Sequence, residues 1–227
     1  MTDFTVHGIP GSPYARAVML ALEEKGAAWR FAAIAMGAHR APEYGAIHPF
    51  HKIPTLDHGD FRLYETHAIL RYLDRVCSGI ALVPDDPQGA ARVDQMISLT
   101  NDYVMRRVSG VLSFNRRIAP MLGLPSDEQA VADGIAPAQA VIAELARLLG
   151  DRPFFAGDFI SLGDLMVAPH LSFLPEYTEG RDLLAAHPNL SAWLDAMEAR
   201  PSMRTTSWDA LIERTGVDTK RPLAAVA

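Results

Sequence analysis

The feature that most constrains the fold is a change of pattern near residue 80. Before it, short β-prone runs alternate with helical segments; after it, apolar residues recur every three to four positions over residues 88–119, 127–150, 163–174 and 189–200. Residues typical of turns occupy the transition between the two patterns. We predict a mixed domain over residues 1–79, a linker over 80–88, an all-helical domain over 89–215 and a tail over 216–227.

The first domain is predicted to have the element order βαβ followed by ββα. Residues 3–8 are β-prone, and the turn formers that follow lead into a helix beginning at Pro13. A second strand is predicted from Trp29 to Ile34, and a short helix follows it. His58-Gly59-Asp60 lies between two strand-like runs as in a hairpin, and Thr66 to Val76 has helical spacing. The fold class is therefore α/β plus all-α.

One helix of the second domain has a strong start signal. In Ser161-Leu162-Gly163-Asp164 the serine can accept from the helix's third N–H while the aspartate reaches back, which makes a capping box with Asp in place of the commoner Glu. We predict that the apolar run LMVAPHL after it is a buried helix. By contrast, the tail from Gly216 onward contains little that would anchor it.

Composition excludes several classes of partner. A formal charge of −6 argues against a nucleic-acid surface. Charged residues interrupt every apolar run before the roughly 18 positions that a membrane span needs. None of the histidines falls into a Cys/His pairing typical of zinc, so we expect no metal. Cys77 is the single cysteine, and the first twenty residues lack the pattern of a signal peptide; we expect a cytoplasmic protein.

Ser12 lies at the entrance of the first predicted helix. Unpaired N–H groups and the helix dipole there stabilise a nearby anion by about 1 to 2 kcal/mol. A thiolate is such an anion, and a hydroxyl donor lowers a thiol pKa further. The alternative is a plain helix cap, because Ser followed by Pro is a common helix start. Without a GxSxG motif or a neighbouring base, Ser12 is not predicted to be a nucleophile.

Two further pairs of residues suggest ligand contacts. A cis bond between Ile53 and Pro54 would expose the main chain of Ile53, although a trans turn proline is commoner. Glu65 and Thr66 precede a helix, where the Thr66 hydroxyl could meet a carboxylate and Glu65 an ammonium group. Together they would bind an amino-acid head group. The alternative is that Thr66 only caps the helix and Glu65 is solvated.

Taken together, these segments resemble the soluble glutathione transferases. The resemblance rests on Ser12-Pro13-Tyr14-Ala15-Arg16, then Ile53-Pro54, then Glu65-Thr66-His67-Ala68-Ile69, in that order and spacing. The stretch from Gly37 to Phe50 resembles the phi class and its bacterial relatives, which use serine. The resemblance implies a thioredoxin-like, glutathione-binding first domain and a helical second domain, with glutathione as co-substrate.

The resemblance also implies roles for individual residues. Ser12 would activate the thiol, Ile53 would contact the glutathione backbone beside a cis Pro54, and Glu65 with Thr66 would bind the γ-glutamyl end. His39 and Lys52 would meet the glycyl carboxylate. The family commonly has Ser at the position of Thr66, and its phi members commonly have Gln at that of Lys52, but both changes keep a donor.

The partner and substrate surfaces are less defined. Phe50 resembles the apolar key that family members insert into a neighbouring subunit, which implies a homodimer; a buried core position is the alternative. The electrophile pocket is expected between the loop after the first strand and the first long helix of the second domain. Phe114 and Trp208 could also be core residues. The candidate pocket residues are Ile9, Pro10, Tyr103, Met105, Arg106, Arg107, Ser109, Phe114 and Trp208.

Three functions are compatible with these residues. The first is glutathione S-transfer to a small, mainly apolar electrophile. The second uses the same thiolate in peroxidation, dehalogenation or isomerisation, and no residue separates these reactions. The third is a non-catalytic protein-assembly module with the family fold; the intact set of Ser12, Ile53-Pro54 and Glu65-Thr66 argues against it.

Overall fold

A computed structural model describes residues 4–220. The described chain divides into two compact units. One contains residues 4–82 together with 200–219, and the other contains residues 83–199. The domain boundaries expected from the sequence stay a prediction, and residues 221–227 of the predicted tail lie outside the described residues.

The sheet unit is built on a mixed four-stranded sheet in the order β2-β1-β3-β4. Its strands are β1 Phe4–Gly8, β2 Trp29–Ala33, β3 Thr55–His58 and β4 Phe61–Tyr64. β1 is parallel to β2 and antiparallel to β3, which pairs with β4 through a hairpin whose Gly59 has φ 59°. Helix α1, Pro13–Glu24, connects β1 to β2, and helix α2, Thr66–Val76, follows β4. The predicted βαβ–ββα order is confirmed.

Helix α1 forms the centre of the core of this unit. Ser12 caps it and Pro13 occupies its first position, where a missing N–H costs nothing. Seven of its twelve residues are buried. Lys25 is the residue that follows the end of α1, and its side chain is buried. The Lys25 Nζ atom donates to the Asp74 carboxylate at 3.0 Å and to the Ile80 carbonyl at 2.8 Å. This buried cation therefore connects the end of α1 to the segment after α2.

The second unit is entirely helical. Its helices are α3 Pro87–Leu99, a π-helix Thr100–Ile118, α4 Ala119–Met121, α5 Glu128–Leu149, α6 Leu162–Leu171, α7 Thr178–Ala185 and α8 Pro188–Glu198. Short 3₁₀ turns occur in both units, at Ala38–Arg40, Pro42–Ala46 and Leu174–Glu176. The predicted class, a thioredoxin-like α/β domain followed by an all-helical domain, is confirmed.

The helix predicted over residues 88–119 exists, but its second part has π-type turns. The Ala119 N–H donates to the Phe114 carbonyl five residues back rather than four. The buried positions Thr100, Val104, Val108 and Leu112 recur every four residues. That spacing keeps one face buried with 3.6 residues per turn or with the wider π turn, so the periodicity could not distinguish them.

Residues 200–219 form a C-terminal segment of the sheet unit. It contains α9 Pro201–Thr205 and α10 Trp208–Thr215. Arg200 donates two hydrogen bonds to the Glu24 carboxylate of α1, at 2.9 and 2.7 Å. Thr219 is buried and its hydroxyl donates to the Pro10 carbonyl. The expectation that little anchors the chain after Gly216 is therefore wrong at Thr219, because this contact is between residues 209 positions apart.

Asp164 is the centre of a buried polar cluster in the helical unit. Its carboxylate accepts from the N–H of Ser161, the Ser161 hydroxyl, the N–H of Phe155 and the indole N–H of Trp193. Ser161 and Asp164 form the predicted capping box, and all ten residues of α6 are buried. One carboxylate thus fixes the start of a buried helix, the loop before it and α8.

We expect Asp164→Ala to lower the free energy of unfolding by about 3 to 5 kcal/mol, because it leaves several buried donors without an acceptor. Urea denaturation followed by far-ultraviolet circular dichroism at one fixed protein concentration measures this. Asp158→Ala is the matched control, because Asp158 is exposed in the same loop. Equal urea midpoints for the two variants would contradict the assignment.

Candidate functional site

The register of the sheet brings the predicted site segments to one end of it. His7, next to the end of β1, pairs with Thr55 at the start of β3, and Thr55 also pairs with Tyr64 at the end of β4. Gly8 pairs with Ala33 at the end of β2. The loops carrying Ser12, His39, Ile53 and Glu65 therefore all leave the sheet at the same end. Strand pairing alone thus places loops that are far apart in sequence at one end of the sheet.

Ser12 is presented by a tight turn. The turn runs from Ile9 to Ser12 and is closed by a hydrogen bond from the Ser12 N–H to the Ile9 carbonyl at 3.0 Å. Pro10 occupies its second position, and Gly11, with φ 91°, its third, the arrangement of a type II turn. The Ser12 hydroxyl oxygen accepts from the Ala15 N–H at 3.3 Å. Since a hydroxyl both accepts and donates, it caps the helix and still has a proton to donate.

The turn is packed against the C-terminal segment. A Cβ atom at Gly11 would lie 2.4 Å from two carbon atoms of the Trp208 ring, closer than any real contact allows. Trp208 itself is only 8% exposed. Glycine is required here by both its positive φ and the lack of space.

His51 and Lys52, on the loop before β3, lie beside His39 of the Ala38–Arg40 turn. The His51 Nδ1 atom is 3.0 Å from the His39 carbonyl oxygen, and Lys52 is exposed beside it. The Ile53–Pro54 peptide bond is cis, as the resemblance implies. The Nδ1 atom of His39 is buried and has no hydrogen-bond partner within residues 4–220. His39, Lys52 and Ile53 thus offer donors and a main-chain edge in one place.

Burial favours the neutral form of two histidines near this end of the sheet, His39 and His48. Burial, followed by the charges of Arg40 and Lys52, lowers the pKa of His39 below its usual value. Burial also lowers the pKa of His48, against the opposing effect of the Glu65 carboxylate. An imidazole whose pKa lies below about 6.5 is mainly neutral at pH 7. Arg40 and Lys52 supply the positive charge beside His39.

Glu65 and Thr66 begin helix α2. Glu65 has φ 73°, an uncommon conformation for a residue with a Cβ, and its side chain is exposed. Thr66 is the first helical residue and is buried. Strained backbone of this kind persists where the surrounding structure fixes it, and it is concentrated at ligand sites. Helix α2 thus begins directly after β4, at the end of the sheet that the other loops share.

The predicted electrophile residues are distributed over both units. Ile9 and Pro10 are buried in the turn before Ser12, next to Trp208 of the same unit. In the helical unit, the Ser109 hydroxyl contacts His170, whose Nδ1 is 3.0 Å away. Burial lowers the pKa of His170 to about 3, so the ring is neutral. Met105 is half-buried, and Arg106, Arg107 and Phe114 are exposed on the π-helix.

Tyr103 lines a cavity within the helical unit. The cavity has a volume of about 270 Å³ and lies between the end of α3, the π-helix and α5. Its walls are almost wholly apolar, and Tyr103 is 53% exposed. The lining residues are Leu99, Tyr103, Ala140, Val141, Glu144 and Leu145. Sequence reasoning did not find this cavity, because its walls come from helices that are neighbours only after folding.

Phe50 is strongly exposed in the sheet unit. Its side chain is 66% accessible, so the alternative of a buried core position is wrong. Its ring centroid is 6.3 Å from that of Tyr64 and 6.1 Å from that of His48. The three rings form an aromatic cluster at the end of edge strand β4, in which Phe50 and Tyr64 are exposed and His48 is buried. Within residues 4–220, no group of three His, Cys, Asp or Glu side chains is placed to hold a metal ion.

The comparisons with known proteins identify the class. Residues 6–79 match the glutathione S-transferase N-terminal domain and residues 128–196 the C-terminal domain. Glutathione S-transferase 1 of Zea mays is 31% identical over 191 residues, 81% of this chain and 86% of that protein. A glutathione S-transferase of Hyoscyamus muticus is 29% identical over 92% of this chain and 97% of that protein. The chain belongs to the glutathione S-transferase family.

A solved structure extends the likeness to three dimensions. Glutathione S-transferase I from mais, in complex with an atrazine glutathione conjugate, superposes with a TM-score of 0.79 at 27% identity. The match covers 95% of this chain and all of that one. Among residues 4–220, no helix has the length and apolar character that a membrane crossing requires.

We expect Gly11→Ala to destabilise the protein by about 3 kcal/mol or more, because the positive φ and the collision with Trp208 both oppose it. Gly26→Ala is the control. Gly26 also has a positive φ, 63°, but nothing lies within 4 Å of the position that an added Cβ atom would take. It should lose only about 1 kcal/mol. Thermal unfolding of both variants separates the two causes, and equal losses would contradict the packing argument.

Proposed function

We propose that this chain is a glutathione transferase in which Ser12 activates the glutathione thiol. The observation that carries the proposal is the meeting of four loops at one end of the sheet. Those loops offer a hydroxyl at Ser12, a main-chain edge at Ile53 and a helix start at Thr66. Membership of the family gives these groups a common ligand. We further propose the serine type and a phi-like relationship; bacterial origin stays a prediction.

Each part of glutathione has a complementary group. The γ-glutamyl carboxylate is bound by the Thr66 hydroxyl and the N–H groups that start α2, and its ammonium by Glu65. The Ile53 main chain contacts the cysteinyl part. The glycyl carboxylate meets Lys52 and His39, whose buried ring nitrogen lacks a protein partner within residues 4–220. A neutral His39 donates a hydrogen bond here, while Lys52 supplies the charge.

Ser12 acts on the sulfur between these ends. Its hydroxyl donates to the thiolate, and the adjacent start of α1 stabilises the same negative charge. The sulfur then forms a bond to an electrophilic carbon, and the leaving group departs with the bonding electron pair. Ser12 forms no covalent bond during this reaction. Each unit by which the thiol pKa falls requires about 1.4 kcal/mol of selective stabilisation of the anion.

The electrophile is the second substrate of the proposed reaction. The residues expected to contact it are Ile9, Pro10 and Trp208 of the sheet unit and Tyr103, Met105, Arg106, Ser109 and Phe114 of the helical unit. The same thiolate would serve peroxidation, dehalogenation or isomerisation. A mainly apolar electrophile is our proposal, supported by the apolar side chains in this set. We also propose that the protein acts in the cytoplasm, where a lone cysteine stays reduced.

We propose that the protein is a homodimer in which Phe50 enters the Tyr103 cavity of the partner. Phe50 is exposed on one unit, and the cavity on the other unit is apolar and about 270 Å³ in volume. A dry apolar cavity of about 150 Å³ already accommodates a benzene ring. A two-fold axis makes this contact twice, once from each protomer.

We expect Ser12→Ala to raise the pKa of the bound thiol by about 1 to 2 units and to slow turnover at pH 6.5 by about 10- to 100-fold. Glutathione affinity should stay similar, because the other contacts remain. Ultraviolet difference spectra between pH 5 and 9 report the thiolate, and calorimetry reports binding. Ser78→Ala, at an exposed loop position, is the control. Unchanged activity of Ser12→Ala at pH 6.5 would refute the assignment.

We expect Phe50→Ala to weaken the dimer by about 30-fold or more, because a buried aromatic anchor contributes at least about 2 kcal/mol. Val141→Glu, which adds a charge to the cavity, should have the same effect from the opposite side. Sedimentation velocity over a concentration series measures both. Phe159→Ala removes another exposed phenylalanine and serves as control. A wild-type monomer, or a dimer unaffected by both variants, would exclude this interface.

A further inference from the structure

A chain of two buried hydrogen bonds connects the C-terminal segment to the turn before Ser12. The Trp208 Nε1 atom is 2.8 Å from the Thr219 Oγ1 atom, which is 3.0 Å from the Pro10 carbonyl oxygen. Chemistry fixes the directions. An indole N–H only donates and a carbonyl oxygen only accepts. The Thr219 hydroxyl therefore accepts a hydrogen bond from Trp208 and donates one to the Pro10 carbonyl.

Both hydrogen bonds are shielded from water. Thr219 is 1% exposed and Pro10 is buried. A hydrogen bond in such surroundings is stronger than one in water, and the loss of one partner leaves the other group unpaired. The segment that supplies Thr219 is itself held on α1, where Arg16 donates to the Met203 carbonyl at 2.8 Å and Arg200 pairs with Glu24.

The Pro10 carbonyl, which accepts the hydrogen bond from Thr219, belongs to the peptide group that decides the shape of the turn. In a four-residue turn, rotation of the central peptide group converts type II into type I and changes the sign of φ at the third residue. The central peptide here joins Pro10 to Gly11. The Thr219 hydroxyl donates a hydrogen bond to the carbonyl of this peptide, and the Trp208 ring packs against Gly11. The direction in which Ser12 leaves the turn therefore depends on both residues.

We propose that Thr219 and Trp208 are positioning residues for thiol activation. They fix the Pro10–Gly11 peptide and, through it, the Ser12 hydroxyl against the thiolate. The inference rests on the proposed function of Ser12. Neither residue donates to the sulfur; they reduce the reorganisation that the donor would otherwise need when the anion forms.

The decisive variant is Thr219→Val, which keeps the shape of the side chain and removes the hydroxyl. The bound thiol pKa, from ultraviolet difference spectra without electrophile, should rise by about 0.5 to 1 unit, and kcat/KM for glutathione at pH 6.5 should fall about 3- to 10-fold. Thr219→Ser should restore both values. Thr206→Val is the matched control, since Thr206 is also buried in the C-terminal segment and its hydroxyl donates locally, to the Ser202 carbonyl.

Trp208→Phe provides a second route to the same answer. It keeps a ring over Gly11 and removes the indole N–H, so a smaller rise of the thiol pKa is expected. This variant decides the matter where Thr219→Val does not fold. A wild-type pH profile in every folded variant of Thr219 and Trp208, with Ser12→Ala still altered, would overturn the positioning role alone. A wild-type protein without glutathione-dependent activity would overturn the positioning role and the proposed function together.

Discussion

The register of β3 between β1 and β4 is the constraint on which the site depends. Because β3 runs antiparallel to both neighbours, its first residue, Thr55, lies beside the ends of β1 and β4. A shift of one residue would turn each side chain of β3 to the opposite face and move its preceding loop along the sheet. Buried Leu56 opposes buried Val6 and disfavours such a shift. Core packing thus fixes the position of Ile53 relative to Ser12 and Glu65.

The site also shows how capping and chemistry share the same groups. Ser12 is an ordinary helix cap by geometry, and Thr66 an ordinary first helical residue. What distinguishes them is the positive φ beside each: 91° at Gly11, which glycine adopts freely, and 73° at Glu65, which is uncommon for a residue with a Cβ atom. Helix starts are common in proteins, but here two of them follow the ends of β1 and β4 at one end of the sheet, and one begins at a strained Glu65. Under the proposed function, glutathione, with its two charged ends and a thiol, is the ligand that this arrangement fits.

Local signals predicted much of the fold and site from the sequence. The Pro-Gly turn, the hairpin glycine and the Ser161–Asp164 capping box each depend on residues close together in the chain, whereas the cis Ile53–Pro54 bond was implied by the family resemblance. The contacts that were missed depend on distant residues. Nothing in the residues around Thr219 indicates a partner at Pro10, and apolar spacing did not distinguish the π-helix from an α-helix. The Tyr103 cavity likewise exists only after α3, the π-helix and α5 pack.

The energy scale of thiol activation explains why distant residues should matter at Ser12. Lowering a thiol pKa by one unit takes about 1.4 kcal/mol, which is comparable to one net hydrogen bond. A donor on a mobile loop would lose much of that energy in becoming ordered. A turn whose central peptide is already held by Thr219, and whose glycine lies against Trp208, has been ordered during folding instead. The C-terminal segment is then part of the activating machinery although it is far from Ser12 in sequence.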